Sequence, residues 1–266
     1  MRHSGPVEES GLVATGERTA PGLPDEEYWF SRHEIAYRWI ARRLASRLLA
    51  PGSVVVDAGA GEGYGAAMLP GRVVALEYDA TACAHMRRSY PQVAVTRANL
   101  DSIPLRTGSV DTITCLQVVE HLWDLRGFLR ECRRALCPGG ELIVTTPQRL
   151  TFSPGLGRGD KPVNPFHVEE FDGEQLCDLL LDAGFDTVET RGVHHGPRLS
   201  AWETAHGSIV GAQVTAALTG SWPPGLRDAV RSVTTEDFVV DVDPFPADSA
   251  RIAAAQDLLA IAWVTA

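Results

Sequence analysis

Between Val54 and Asp79 the chain reads VVVDAGAGEGYGAAMLPGRVVALEYD, a stretch that leaves few folds open. The run Val54-Val55-Val56 ends in Asp57 and opens onto glycines at 59, 61 and 63; a second apolar run, Val73-Val74-Ala75-Leu76, ends in Glu77. Short continuous β-branched runs read as buried parallel strands, and glycines directly after one let the backbone turn tightly and approach a ligand closely. The order strand, glycine turn, helix, strand, acid opens a doubly wound sheet, with the acid where a nucleotide ribose presents its hydroxyls. Glycines alone are a weak signal. Their G-x-G-x-G spacing suits a ligand without a pyrophosphate, because no phosphate pair then has to be cradled.

The rest of the chain continues the alternation. From Ser31 the spacing of Ile35, Trp39, Ile40, Leu44, Leu48 and Leu49 is helical, and Pro51-Gly52 stops it. Asp79 can cap a helix reaching about Tyr90, and strands are predicted over 93–96, 112–116, 141–145, 187–193 and 258–264. Helices are predicted over 124–136 and 172–183. The fold class is therefore α/β, a Rossmann-like, seven-stranded, mostly parallel sheet flanked by helices, with ligands bound at the carboxyl ends of the strands. Asp57, Glu77, Asn99 and Gln117 all stand at or just past such ends. Residues 196–256 are far longer than an ordinary connection and predict a mostly helical cap over a substrate pocket, which also offers a homodimer contact. The organisation read from the chain is a disordered tail (1–14), an N-terminal lid and helix (15–52), a core (53–195), the cap (196–256) and a final core strand (257–266).

Composition narrows the function. A net charge of -10 argues against a nucleic-acid partner, since such proteins present a basic face. The five cysteines form no C-x-x-C pair and read as reduced thiols. The N-terminus lacks a secretory apolar core, and no window approaches the ~20 apolar residues of a spanning helix, so the expectation is a cytoplasmic protein with no membrane partner.

With VVVDAGAGEGYG, ALEYD, RANLDSIPLRTGSVDTITCLQVVEHLWD, LCPGGELIVTTPQR and NPFHVEEF in this order, the region from 53 to 195 resembles the class I S-adenosylmethionine-dependent methyltransferases, in their type 11 branch. The resemblance implies S-adenosylmethionine as cofactor and S-adenosylhomocysteine as product. It implies that Asp57, Gly59, Ala60, Gly61 and Gly63 border the methionine part, Glu77 binds the ribose hydroxyls and Tyr78 lies against the adenine. Asn99, where many relatives have Asp, would accept from the adenine amino group while Leu100 donates its backbone N–H; Gln117 completes the set. Arg18 and Trp29 would close over the cofactor, Arg18 pairing with its carboxylate; otherwise Trp29 and Phe30 staple the entry to the first helix. The lead-in TGERTAPGLPDEEYWFSRHEIAYRW, with NPFH and GVHHGPRL, resembles mycobacterial methyltransferases linked to methylglucose lipopolysaccharide synthesis. That implies an acceptor hydroxyl on an intracellular polysaccharide or its oligosaccharide precursor.

A sugar hydroxyl is too weak an acid to attack without a general base, and histidine is the natural one. His121, next to Glu120 just past the fourth strand, and His167, in NPFH, are the catalytic candidates; His194-His195 end the sixth strand, and His33 falls beneath the lid. Some quinone-biosynthesis relatives carry E-x-x-E-H where this chain has Gln117-Val118-Val119-Glu120-His121. Lacking one anionic ligand, the chain is assigned no metal. Two other readings are open: O- or N-methylation of another small metabolite, and a non-enzymatic sensor of the cofactor, which would need no base.

Overall fold

The computed structural model describes residues 19–47, 52–242 and 249–265; the predicted tail and Arg18 lie outside them. The strands are β1 (Val54–Ala58), β2 (Arg72–Glu77), β3 (Ala94–Arg97), β4 (Val110–Leu116), β5 (Leu136–Pro147), β6 (Thr187–His195), β7 (Phe238–Val240) and β8 (Asp257–Trp263). They form one sheet in the order β3-β2-β1-β4-β5-β8-β6-β7. From β3 to β5 every pairing is parallel, β8 is antiparallel to both β5 and β6, and β7 is antiparallel to β6. The predicted seven strands thus become eight. The addition, β7, is a three-residue edge strand supplied by the long insertion, too short to show a period of its own.

The helices are α1 (Glu27–Ser46), α2 (Tyr64–Met68), α3 (Ala80–Ser89), α4 (Leu125–Ala135), α5 (Arg149–Phe152), α6 (Gly173–Asp182), α7 (Pro197–His206), α8 (Ile209–Thr219), α9 (Leu226–Arg231) and α10 (Ser249–Ala253). Three begin on aspartates that accept from their first-turn amides: Asp79 on α3, Asp124 on α4 and Asp172 on α6, each cap contributing about 1 kcal/mol. Helix α1 starts one turn before Ser31, because Tyr28 continues a buried stripe through Arg32, Ala36, Ile40 and Leu44 at intervals of four.

Strand periodicity divides the core between the two faces of the sheet. Val55, Ile143, Leu259 and Ile261 face one side with α1, while Val56, Leu142, Val144, Leu258 and Ala260 face the other with α4 and α6. Glu141 at the start of β5's paired segment binds Arg43 of α1 through two bonds of 2.8 and 2.9 Å, fixing that helix along the sheet. No helix among the described residues is long and apolar enough to cross a membrane.

Among its described residues the insertion packs on α1 and contributes nothing to the pocket over which a cap was expected. Its apolar residues Leu199, Ile209, Val210, Leu226, Val230 and Phe238 share a core with Tyr28 and Ile40, and β7 and α9 pack against α1. Arg227 and Arg231 add ion pairs to Asp25 at 3.3 and 2.6 Å. Burying that apolar face against α1 uses the surface a cap would have turned toward a ligand.

Candidate active site

A cavity of about 480 Å³ opens at the carboxyl edge of β1, β2, β3 and β4. Its wall includes Gly59, Ala60, Gly61, Glu77, Tyr78, Asn99, Leu100, Gln117 and His121, nine of the residues singled out by sequence. Asp57, Gly63, Trp29, Glu120 and His167 are not on the wall.

The glycine loop is tied down by the strand beside it. The amides of Gly59 and Ala60 donate to the Leu76 carbonyl at 2.9 and 3.1 Å, and that of Gly61 donates to Glu77 Oε2 at 2.9 Å. The other Glu77 oxygen accepts from the Asp79 amide at 2.7 Å, so the carboxylate is held from both sides at the cavity edge. Gly59 has φ +78, and a Cβ there would come within 2.5 Å of Val118; only glycine lets the loop press against the turn after β4. Gly63 serves α2 instead. It is that helix's N-cap at φ +85, and a Cβ on it would sit 2.2 Å from Met86 Cγ.

Asp57 lies beneath the loop, fully buried, accepting from Thr114 Oγ1 at 2.7 Å and from the Tyr37 hydroxyl at 3.1 Å. Burial pushes its carboxyl up to about 6, against the opposing hydrogen bonds of Thr114 and Tyr37. Its part in the site is therefore to hold Tyr37, which does line the cavity. Farther along the wall, Asn99 accepts from the Asp101 amide at 3.2 Å, and Tyr78 is exposed with the Arg97 guanidinium 5.8 Å from its ring centre.

Gln117 follows β4 in the left-handed region, at φ 55, a conformation that costs a non-glycine residue roughly 1–2 kcal/mol. It donates to Thr145 Oγ1 and accepts from Arg32 Nη2, both at 3.2 Å. Arg32 is buried, stands 3.4 Å from Asp257 and is stacked against Trp29, so Trp29 reaches the site through this guanidinium. The reversal at Gln117 throws the next residues into a 3₁₀ turn, Val119–His121, beside the cavity.

That turn gathers the catalytic candidates. His121 Nδ1 lies 3.0 Å from the Phe166 carbonyl, which can only accept; the proton is therefore on Nδ1 and the basic lone pair on Nε2. His167 packs edge-on against His121, with ring centres 4.9 Å apart. Its Nδ1 donates to Glu170 at 2.6 Å and its Nε2 accepts from the Asn164 amide at 2.9 Å. Glu120, only 1% exposed, accepts from Thr146 Oγ1 at 3.0 Å, and burial pushes its carboxyl up to about 7 despite the pull of His167. Donor atoms of Glu120, His121 and His167 all fall within 4.8 Å of one another.

His33 also lines the cavity. Burial first, then the Arg32 charge, holds it well below the usual imidazole range, and Arg32 Nη2 is 3.2 Å from its Nε2. A lone pair engaged in this way is a poor proton acceptor. His194 and His195 are spent elsewhere, on Asp241 and on Tyr28 with Glu203. Thr19, Tyr37 and Tyr64 are also on the wall without having been read as site residues, although Tyr64 directly follows the glycine motif.

Comparison with known proteins gives the family. Residues 56–144 match the model of a methyltransferase domain. A protein of Mycobacterium tuberculosis described as a probable S-adenosylmethionine-dependent methyltransferase is 48% identical over 232 residues, covering 85% of this chain and 81% of its own. A counterpart in Mycolicibacterium smegmatis is 45% identical over 258 residues, covering 95% of each. The crystal structure of an S-adenosylmethionine-dependent methyltransferase from Thermotoga maritima shares the fold, with a TM-score of 0.55 at 19% identity over 91% of this chain and 95% of that one. The chain belongs to the S-adenosylmethionine-dependent methyltransferases.

Proposed function

We propose that the enzyme methylates a sugar hydroxyl, with His121 as general base. S-adenosylmethionine supplies an electrophilic methyl group on a sulfonium, transferred in line with release of S-adenosylhomocysteine. The cavity's residues fit that molecule: the Glu77 carboxylate stands at the edge for two ribose hydroxyls, the Gly59–Gly61 backbone gives close approach, and Leu100 and Tyr78 flank the place of the base. A hydroxyl must shed its proton as its oxygen attacks, and the observation that carries the proposal is the orientation of His121, on the wall with Nδ1–H fixed by the Phe166 carbonyl and Nε2 as the basic nitrogen. Glu120, ionising near neutral pH behind it, stabilises the imidazolium that forms. The resemblance of the lead-in, NPFH and GVHHGPRL segments to mycobacterial methyltransferases linked to methylglucose lipopolysaccharide synthesis supports a saccharide over another small metabolite.

The test is a labelled-methyl transfer screen of glucosides, mannosides and their oligomers, with phenols and amines as controls. Label confined to the controls would overturn the saccharide reading. His121→Ala should lower turnover on the best acceptor by ~10²–10⁴-fold with cofactor affinity kept. A wild-type rate would move the base elsewhere.

The clustering of Glu120, His121 and His167 favours a second reading, in which the three hold a divalent cation that ionises the hydroxyl. Both imidazoles have Nδ1 fixed by an oxygen, as metal-binding histidines do, although the Asn164 amide competes for His167 Nε2. Activity abolished by a chelator and restored by magnesium or manganese would select this reading. Full activity in the chelator would select the general base.

A further inference from the structure

The geometry points to a second acceptor subsite beyond Leu122, in which Trp123 stacks against a sugar ring one step along a glycan from the ring being methylated. This inference rests on the saccharide reading above. Leu122 lines the main cavity and also a second cleft of about 250 Å³, so the two recesses share a wall. Trp123 lines the second cleft and is 90% exposed, an unusual setting for the largest apolar side chain. It is two residues from His121, so the two Cα atoms lie at most about 7 Å apart, and the cleft it lines adjoins the main cavity through Leu122.

Phe166, 58% exposed, is the residue whose backbone carbonyl orients His121. Around Trp123 the cleft carries Asp124, Arg126, Arg158 and Glu169. Saccharides present an apolar C–H face rimmed by hydroxyls. An exposed indole with charged groups of both signs around it matches that chemistry: the ring takes the C–H face, and the guanidinium and carboxylate groups take the hydroxyls. A monosaccharide would fill only the main cavity. The second cleft therefore makes this an enzyme of oligomers, in which Trp123 sets acceptor length.

The experiment compares a methyl monoglycoside with the tetrasaccharide of the same sugar and linkage as acceptors, on the full-length wild type, Trp123→Ala and Trp123→Phe. Wild type should prefer the tetrasaccharide through a lower KM. Trp123→Ala should raise KM for the tetrasaccharide about tenfold, leaving kcat and the monoglycoside KM within twofold, and Trp123→Phe should recover most of the loss. The tetrasaccharide should also quench tryptophan fluorescence of the wild type bound to S-adenosylhomocysteine, with the quench reduced in Trp123→Ala. Because the side chain is exposed, both variants should keep the wild-type Tm. Methylation of both saccharides with equal kinetics in wild type and Trp123→Ala would overturn the subsite and leave the function standing. No methylation of any saccharide would overturn both.

Discussion

Replacing Glu77 with alanine should weaken binding of S-adenosylhomocysteine by about 10²–10⁴-fold. The carboxylate is fixed by the Gly61 amide at 2.9 Å and the Asp79 amide at 2.7 Å, one on each oxygen, so its orientation at the cavity edge is set before any ligand arrives. Two ribose hydroxyls donating to those oxygens make two hydrogen bonds to a charged group, each contributing about 1.5–3 kcal/mol. Together they amount to about 3–6 kcal/mol, at 1.4 kcal/mol per tenfold in Kd. Glutamine is no conservative replacement. Its amide NH₂ has to face one of the two backbone N–H groups, so Glu77→Gln loses one loop contact and the charge behind both ribose bonds, giving an intermediate loss. Isothermal titration of wild type and both variants measures the affinities, and calorimetric Tm without ligand reports the loop. Since water can reach the Gly61 amide from the cavity, the unliganded Tm should fall only a few degrees. A Glu77→Ala variant that binds within threefold of wild type would refute the assignment of Glu77 to the ribose.

The strands were legible because their β-branched runs are short and end in polar residues, which also put Glu77, Asn99 and Gln117 at one sheet edge before any coordinates. What escaped depends on contacts between distant segments. Tyr37 sits on the buried stripe of α1, and its hydroxyl needed a partner, yet nothing in the sequence connects it to Asp57. The left-handed turn at Gln117 carries no glycine to announce it, and the side-chain bonds that hold it come from β5 and α1. The insertion's apolar residues were visible, but amphipathicity does not say which neighbour they cover. They cover α1, with Tyr28 bonded to His195 and its ring 5.4 Å from that of Phe238. Helix α1 also supplies His33 and Tyr37 to the cavity and Arg32 to Gln117. Among the described residues the insertion thus reaches the site through that helix and not by covering it.

Two perturbations probe the scaffold under the glycine loop. Gly63→Ala combines a left-handed φ of +85 with a Cβ 2.2 Å from Met86 Cγ, and should cost about 2–5 kcal/mol, or roughly 5–15 °C in Tm. An unchanged Tm would show that the loop can relax around the methyl group. Asp57→Asn should do the reverse at high pH. Burial raises the Asp57 carboxyl from 3.8 to about 6, so the folded protein holds this proton more tightly than the unfolded chain does. The stability so contributed is fully present below pH 3.8 and is lost as pH rises through about 6, a total of about 3 kcal/mol at 1.36 kcal/mol per unit. Roughly half of that loss falls between pH 5 and pH 8. Asparagine cannot ionise, and its amide oxygen can still accept from Thr114 Oγ1, which lies 2.7 Å from the carboxylate. In urea unfolding, the stability of Asp57→Asn relative to wild type should therefore improve by about 1–1.5 kcal/mol between pH 5 and pH 8. A difference that stays constant over that range would mean that Asp57 titrates alike in the folded and unfolded chain, and that its bonds to Thr114 and Tyr37 offset the burial of its charge.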